Sequence, residues 1–220
     1  MTTAILGLGG GLFLVALMPS FLPMTAVIPV HGVVQLASNA SRLAFGWRSL
    51  VFRVALPFLA GSVLGAAVGT RFVLRVPTEH MPIVLGAFVL LVTWLPRAYL
   101  PRRLPGGFAA LGALQTFLSL FVGATGPLSS ALLSREDLSR DQTVVTHAAM
   151  MTSLHALKCL TFVAVGFAFA PYVPLLIGMV ISVSLGSWAG TRCRHLLPEN
   201  AFKWIFKGIL TVLALRLIFF

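Results

Sequence analysis

Residues 29–43, PVHGVVQLASNASRL, set His31, Gln35, Ser38, Asn39 and Arg42 into an otherwise apolar stretch. His31, Gln35, Asn39 and Arg42 follow the spacing i, i+4, i+8, i+11, so a helix places all four on one face. A second stretch, VTHAAMMTSLHALKC at 145–159, lies 116 positions later. At that offset His31 meets His147, Gln35 meets Met151, Asn39 meets His155 and Arg42 meets Lys158. Two helices of one chain are thus expected to present basic and hydrogen-bonding groups in the same phase towards a shared interior.

The surrounding composition decides the solvent. Of 220 residues, 58% are hydrophobic and 10% charged, against roughly 25% charged in a soluble domain. The runs Met1–Ser41, Val54–Thr70, Leu104–Ser134 and Cys159–Thr191 contain no charged residue. At about 1.5 Å per helical residue such runs reach across a hydrocarbon core of about 30 Å. The expected fold class is therefore all-α, a polytopic integral membrane protein. No Lys or Arg precedes Arg42, so the basic n-region of a signal peptide is missing.

The net charge of +11 does not point to nucleic acid. The basic residues are spread over short loops, and none forms a domain able to track a phosphate backbone. Retention of loops on the cytoplasmic side and attraction to anionic lipid explain them more simply. Cys159 and Cys193 stand far apart with no CxxC or Cys/His ligand spacing, so neither a metal nor any other cofactor is expected.

Two further matches extend the repeat. LGAAVGTRFVLRVP at 64–77 pairs with LGSWAGTRCRHLLP at 185–198, and GGLFLVAL from Gly10 pairs with GPLSSALL from Gly126. Repeat 1 is then residues 1–100, repeat 2 is 107–220, and 101–106 is a linker within a single membrane domain. Four hydrophobic segments are expected in each, at 2–20, 24–46, 52–74 and 79–97, then 107–133, 141–166, 172–194 and 200–220. The first segment of each half is expected to be broken, at Gly7–Gly11 and at Gly123–Pro127, because helical propensity falls at such clusters.

Charge counts choose between topologies. Eight crossings divide the loop cations almost evenly. If both glycine-broken segments are re-entrant, the loops near 42–53, 97–103, 135–140 and 192–207 share one face with 12 basic residues. Only Arg71, Arg75 and Arg216 remain opposite. The positive-inside rule favours this arrangement. Three crossings per half also invert the halves relative to each other, as in many secondary transporters.

The acid inventory narrows the chemistry. The carboxylates are Glu79, Glu136, Asp137, Asp141 and Glu199, all in loops or at segment ends. No carboxylate pair is available for a cation pump, no HExxH motif for a zinc protease, and no third group for the Ser153/His155 pair, so no enzyme is expected. What remains is a positive, hydrogen-bonding cavity beside glycine breaks, where half-helix N-termini after Gly11 and Pro127 would direct backbone N–H groups at a compact anion. The glycines have a plainer use in close helix packing, and each polar side chain has one in interhelical hydrogen bonding.

The glycine-rich opening GLGGGLFLVALMP, the polar helix after it, LPFLAGSVLGAAVGTRFVLRVP and its second copy SVSLGSWAGTRCRHLLP together resemble the sulfite exporter TauE/SafE family, also called the 4-toluene sulfonate uptake permeases. That resemblance spans nearly the whole chain. It implies an inner-membrane transporter for sulfite, thiosulfate, sulfonates or other organic anions, with Gly9, Gly10, Gly11, Gly126 and Pro127 at the broken-helix motifs. Two departures stand out: only MTTAIL precedes Gly7, and the second half spells GATGP where a GxGGG-like run is usual.

The expected substrate-binding set is His31, Gln35, Asn39, Arg42, His147, His155 and Lys158 with Gly9, Gly10, Gly11, Gly126 and Pro127. The expected partners are a small anion, the lipid bilayer and, through histidine titration, protons as a coupling ion. Alternating access of the two repeats is the expected mechanism. An anion channel with the same site and a non-transporting membrane assembly subunit stand as alternatives.

Overall fold

The computed structural model describes residues 3–73, 75, 77–95, 105–193 and 199–219, with side-chain surroundings given within those ranges for 10–183 (Thr78 apart), Leu185 and 204–219. The described residues fold as helices without strands: α1 Thr3–Leu17, α2 Met24–Gly46, α3 Phe52–Val73, α4 Met81–Trp94, α5 Gly107–Val122, α6 Gly126–Leu133, α7 Arg140–Ala164, α8 Val173–Cys193 and α9 Glu199–Phe219. The linker at 101–104 and Arg97, Arg102, Arg103 and Arg194 lie outside the described residues, as do the side chains of the second GTR copy.

Local sequence sets several ends. Pro23 precedes α2 in extended conformation, as expected of a residue that cannot continue a helix backwards. Ser139 begins α7 with a capping box: its Oγ accepts from the Gln142 amide at 3.2 Å, and Gln142 Oε1 accepts from the Ser139 amide at 3.0 Å. Two otherwise free N–H groups are thereby satisfied, which fixes the start of the helix bearing His147, His155 and Lys158.

Glycines set how closely α3 and α5 approach. A Cβ at Gly61 or Gly65 would meet the carbonyls of Ala109 and Ala113, and one at Gly112 would meet that of Phe58. Small residues at i, i+4 spacing let two backbones touch. The Gly-x-x-x-Gly-Thr-Arg segment is therefore a packing surface, and its Thr70 Oγ1 lies 3.3 Å from Thr161 Oγ1 on α7. The opposite face of α3 exposes Leu56, Leu59, Val63, Leu64, Val68 and Phe72. Small residues inside and large apolar ones outside is the arrangement for a helix in lipid rather than water.

These contacts give the chain directions. Gly61 opposes Ala109 and Gly69 opposes Phe117 and Leu120, so α3 and α5 run parallel. The amide of Val51, just ahead of α3, donates to Thr146 and Thr70 meets Thr161, so α7 is parallel to α3 as well. α6 therefore returns between two helices that point the same way, and α5–α6 form a hairpin. By contrast Gly46 opposes Val145 while Gly32 opposes Lys158 and Cys159, which makes α2 and α7 antiparallel. α4 and α9 are antiparallel too: Gly86 meets Ala214 and Ile218, and Trp94 meets Thr211 and Trp204.

One expectation is corrected. Gly7–Gly11 do not break the first segment; they lie inside continuous α1, so no helix begins after Gly11. Each glycine disfavours helix by about 1 kcal/mol, but backbone groups left unpaired in an apolar medium cost several kcal/mol each. With Ile5, Leu6, Leu8, Leu12 and Phe13 around them, hydrogen-bonded helix prevails. The second break does form, at Gly123–Thr125 between α5 and α6.

Among the described residues Phe52–Val73 is a helix long and apolar enough to cross a membrane by length and composition. Gly10–Ser20, Met81–Trp94, Gly107–Val122 and Ala170–Val183 are shorter apolar helices. α2 and α7 are longer, at 23 and 25 residues, and their hydropathy is lowered by the same polar residues that form the site.

Candidate functional site

The break between α5 and α6 is held by side chains. Gly123 has φ +78°, and a Cβ there would lie 2.7 Å from Val15 Cγ2, so both conformation and space call for glycine. Three side-chain nitrogens donate to carbonyl oxygens along the break. Lys158 Nζ donates to Gly123 O at 2.6 Å, Gln115 Nε2 to Thr125 O at 2.5 Å and His147 Nε2 to Gly126 O at 3.2 Å. Among the described residues the bond from Lys158 is the one that pairs the buried Gly123 carbonyl, whereas Thr125 O also accepts from the Leu128 amide and Gly126 O from Ser129 Oγ.

α1 meets α2 in a related way. His31 Nε2 lies 3.0 Å from Gly11 O, and a carbonyl only accepts, so Nε2 carries the hydrogen. A Cβ at Gly11 would lie 3.1 Å from the Gln35 amide; the bare backbone leaves room for that side chain. On α2 itself Asn39 Nδ2 donates to Gln35 O at 2.8 Å and Arg42 Nη2 to Ser38 Oγ at 3.4 Å.

Where α1, α2, α7 and the break converge is a cavity of about 30 Å³, room for one or two waters. Its walls are Gly11, Leu12, His31, Gln35, Asn39, Arg42, Ala124, Gly126, Pro127, His147, Met151 and His155. The two helices cross so that His31 faces His155, with ring centroids 5.8 Å apart at 69°. Antiparallel pairing thus brings His31 against His155, a residue of a different register in the other half, and Gln35 and Met151 line the same cavity. Gly126 and Pro127 form the N-terminal end of α6, where helix amides and the positive dipole end lie.

Nine of the expected residues line this cavity: His31, Gln35, Asn39, Arg42, His147, His155, Gly11, Gly126 and Pro127. Three do not. Lys158 is wholly buried behind the wall on Gly123, because its position on α7 lies nearly a full turn beyond His155. Gly10 is exposed on the outer side of α1, and Gly9, also in α1, has surroundings outside the described residues.

The sequence expectation missed Gln115, Thr116, Ser119 and Thr125, all buried. Gln115 is an amide in the apolar helix GFAALGALQTFLSLFV, and buried amides are placed for a hydrogen-bonding purpose; that was the available signal. Among the described residues, no buried polar side chain is Asp or Glu. Nor do three His, Cys, Asp or Glu side chains gather as a metal would require. The cavity therefore has donors and cationic groups but no carboxylate of its own.

A family model described as sulfite exporter TauE/SafE matches residues 1–217. No curated protein and no solved structure matches the chain. The family's members are membrane transporters rather than enzymes, which agrees with an all-helical chain whose large apolar side chains face outward. With all but the last three residues covered, this chain belongs to the sulfite exporter TauE/SafE family.

Proposed function

We propose that the chain is a multi-pass inner-membrane transporter that carries small sulfur-containing anions, such as sulfite, thiosulfate or a sulfonate, through the cavity between α2, α7 and the α5–α6 hairpin. The observation that carries this reading is the convergence of His31, Arg42, His147 and His155, with Gln35 and Asn39, on one cavity at the N-terminus of α6, with no buried carboxylate among the described residues. A site so composed is completed by an anion. Gly11, Gly126 and Pro127 supply its backbone wall.

The mechanism is alternating access of two inverted repeats. Its support is directional: the second segments, α2 and α7, are antiparallel, and so are the fourth segments, α4 and α9. Equivalent segments run oppositely only when the repeats are inverted. The α5–α6 hairpin supports a re-entrant element in repeat 2. This topology puts the 12-cation face, including Arg48, Arg53, Arg135, Arg140 and Lys207, on the cytoplasmic side.

Thermal unfolding of the purified protein with sulfite, thiosulfate, methanesulfonate, sulfoacetate, acetate or chloride tests the reading. At least one sulfur oxyanion should raise the midpoint above acetate and chloride, and Arg42→Gln with His147→Gln should abolish that rise. No response to any sulfur oxyanion would overturn it.

A further inference from the structure

Lys158 is fully buried, and its stem runs beside Gly32, where a Cβ would lie 3.0 Å from Cδ. Nζ has one hydrogen bond, to the Gly123 carbonyl at 2.6 Å, although an ammonium has three hydrogens to place. Its titratable neighbours are His31 on α2, His155 on its own helix and the adjacent Cys159. Arg42 and His147 stand further out on the cavity wall. Arg53 and Arg71 of α3 are exposed, and α5, the break and α6 contain no titratable side chain. No carboxylate is buried among the described residues to neutralise the lysine.

An unpaired buried ammonium costs several kcal/mol, whereas an amine carries no charge and, with one N–H on Gly123, has only one other hydrogen to place. The empty site therefore favours the amine. An anion in the cavity supplies the missing counter-charge and favours the ammonium. The histidines compete poorly for that proton: in water an amine holds a proton about four units more tightly than an imidazole. His31 and His147 already spend Nε2–H on backbone carbonyls. The Nδ1 atoms of His31 and His155 have no partner, so a proton placed there would have no hydrogen-bond acceptor.

We infer that Lys158 takes up the proton that travels with the anion, making the transporter an anion–proton symporter. The proton enters from water on the open side, binds the Nζ lone pair while the anion occupies the cavity, and leaves with the anion on the other side. Each cycle returns the amine. This rests on the transport reading above and adds the coupling ion and the residue that carries it.

Calorimetric titration of the purified protein near neutral pH, in buffers of different ionisation enthalpy, counts the protons. The probes are thiosulfate, methanesulfonate and sulfoacetate, which stay fully ionised, and sulfite, corrected for its own protonation. Wild type should take up about one proton per anion bound, and Lys158→Arg, which keeps a cation but cannot return a proton, should take up none. Should Lys158→Arg misfold, wild-type liposomes clamped at zero membrane potential decide: an inward proton gradient should concentrate the bound probe. Binding without proton uptake, no concentration by the gradient, or full uptake by Lys158→Arg would overturn the assignment while leaving anion transport standing. Absence of binding by every probe would instead sink the transport reading.

Discussion

His31 Nε2 donates to the carbonyl oxygen of Gly11 across 3.0 Å, joining the polar face of α2 to the glycine motif of α1. His147 makes the corresponding bond to Gly126 at 3.2 Å in the second half. In each half the histidine holds a backbone group of its own glycine motif, one on an unbroken helix and one on a broken one. Both carbonyls also accept within their own helices, Gly126 O from Ser129 Oγ at 2.9 Å and Gly11 O inside α1, so removing either histidine loses one positioning hydrogen bond, about 1 kcal/mol. Because both side chains line the cavity, His31→Ala and His147→Ala should each lower anion flux several-fold, and unaltered flux in both, measured in proteoliposomes, would remove them from the pathway.

Gly123 and Gly126 should respond differently to the same substitution. At Gly123 an alanine meets both a positive φ and Val15, and such a sparsely populated backbone conformation alone costs about 1–3 kcal/mol. At Gly126 the nearest atoms to an added Cβ are 3.6–3.8 Å away, ordinary contact. Thermal unfolding should show Gly123→Ala well below wild type and Gly126→Ala close to it. Equal midpoints would contradict the described turn.

Close packing of α3 on α5 gives a third expectation. Gly61→Val and Gly65→Val place branched side chains on the Ala109 and Ala113 carbonyls, so the helices must part. Overpacking of this kind costs about 1–3 kcal/mol or more. Both variants should unfold at lower temperature, whereas Leu64→Val on the exposed face should not.

Topology is testable with single cysteines in a background lacking Cys159 and Cys193. Positions 48 and 137 should react with an impermeant thiol reagent from the cytoplasmic side, and position 75 from the other side. Arg48, Asp137 and Arg75 are all exposed, so access depends on sidedness alone. Labelling of 48 and 137 from opposite sides would contradict the inverted arrangement.

Much of the site was legible because it obeys helical periodicity: His31, Gln35, Asn39 and Arg42 could share a face only on a helix, and they do line one wall. The break at Gly123 was legible because Gly126-Pro127 both follow a glycine and start a new helix well. The run Gly7–Gly11 misled because propensity is a weak term beside the demand for backbone pairing in an apolar medium. Lys158 kept the phase of the polar face, yet phase says nothing of depth, and its partner Gly123 is 35 positions away. Gln115 stands out as an amide in an apolar helix, but its role depends on a turn ten residues on that only the folded hairpin brings back to it.

Counterflow in proteoliposomes tests the central claim most directly. Vesicles holding purified protein are loaded with unlabelled sulfite or thiosulfate and diluted into labelled anion. The account predicts saturable transient accumulation of label, abolished in Arg42→Gln with His147→Gln. Absence of counterflow with every sulfur oxyanion, or linear, non-saturating entry, would contradict it.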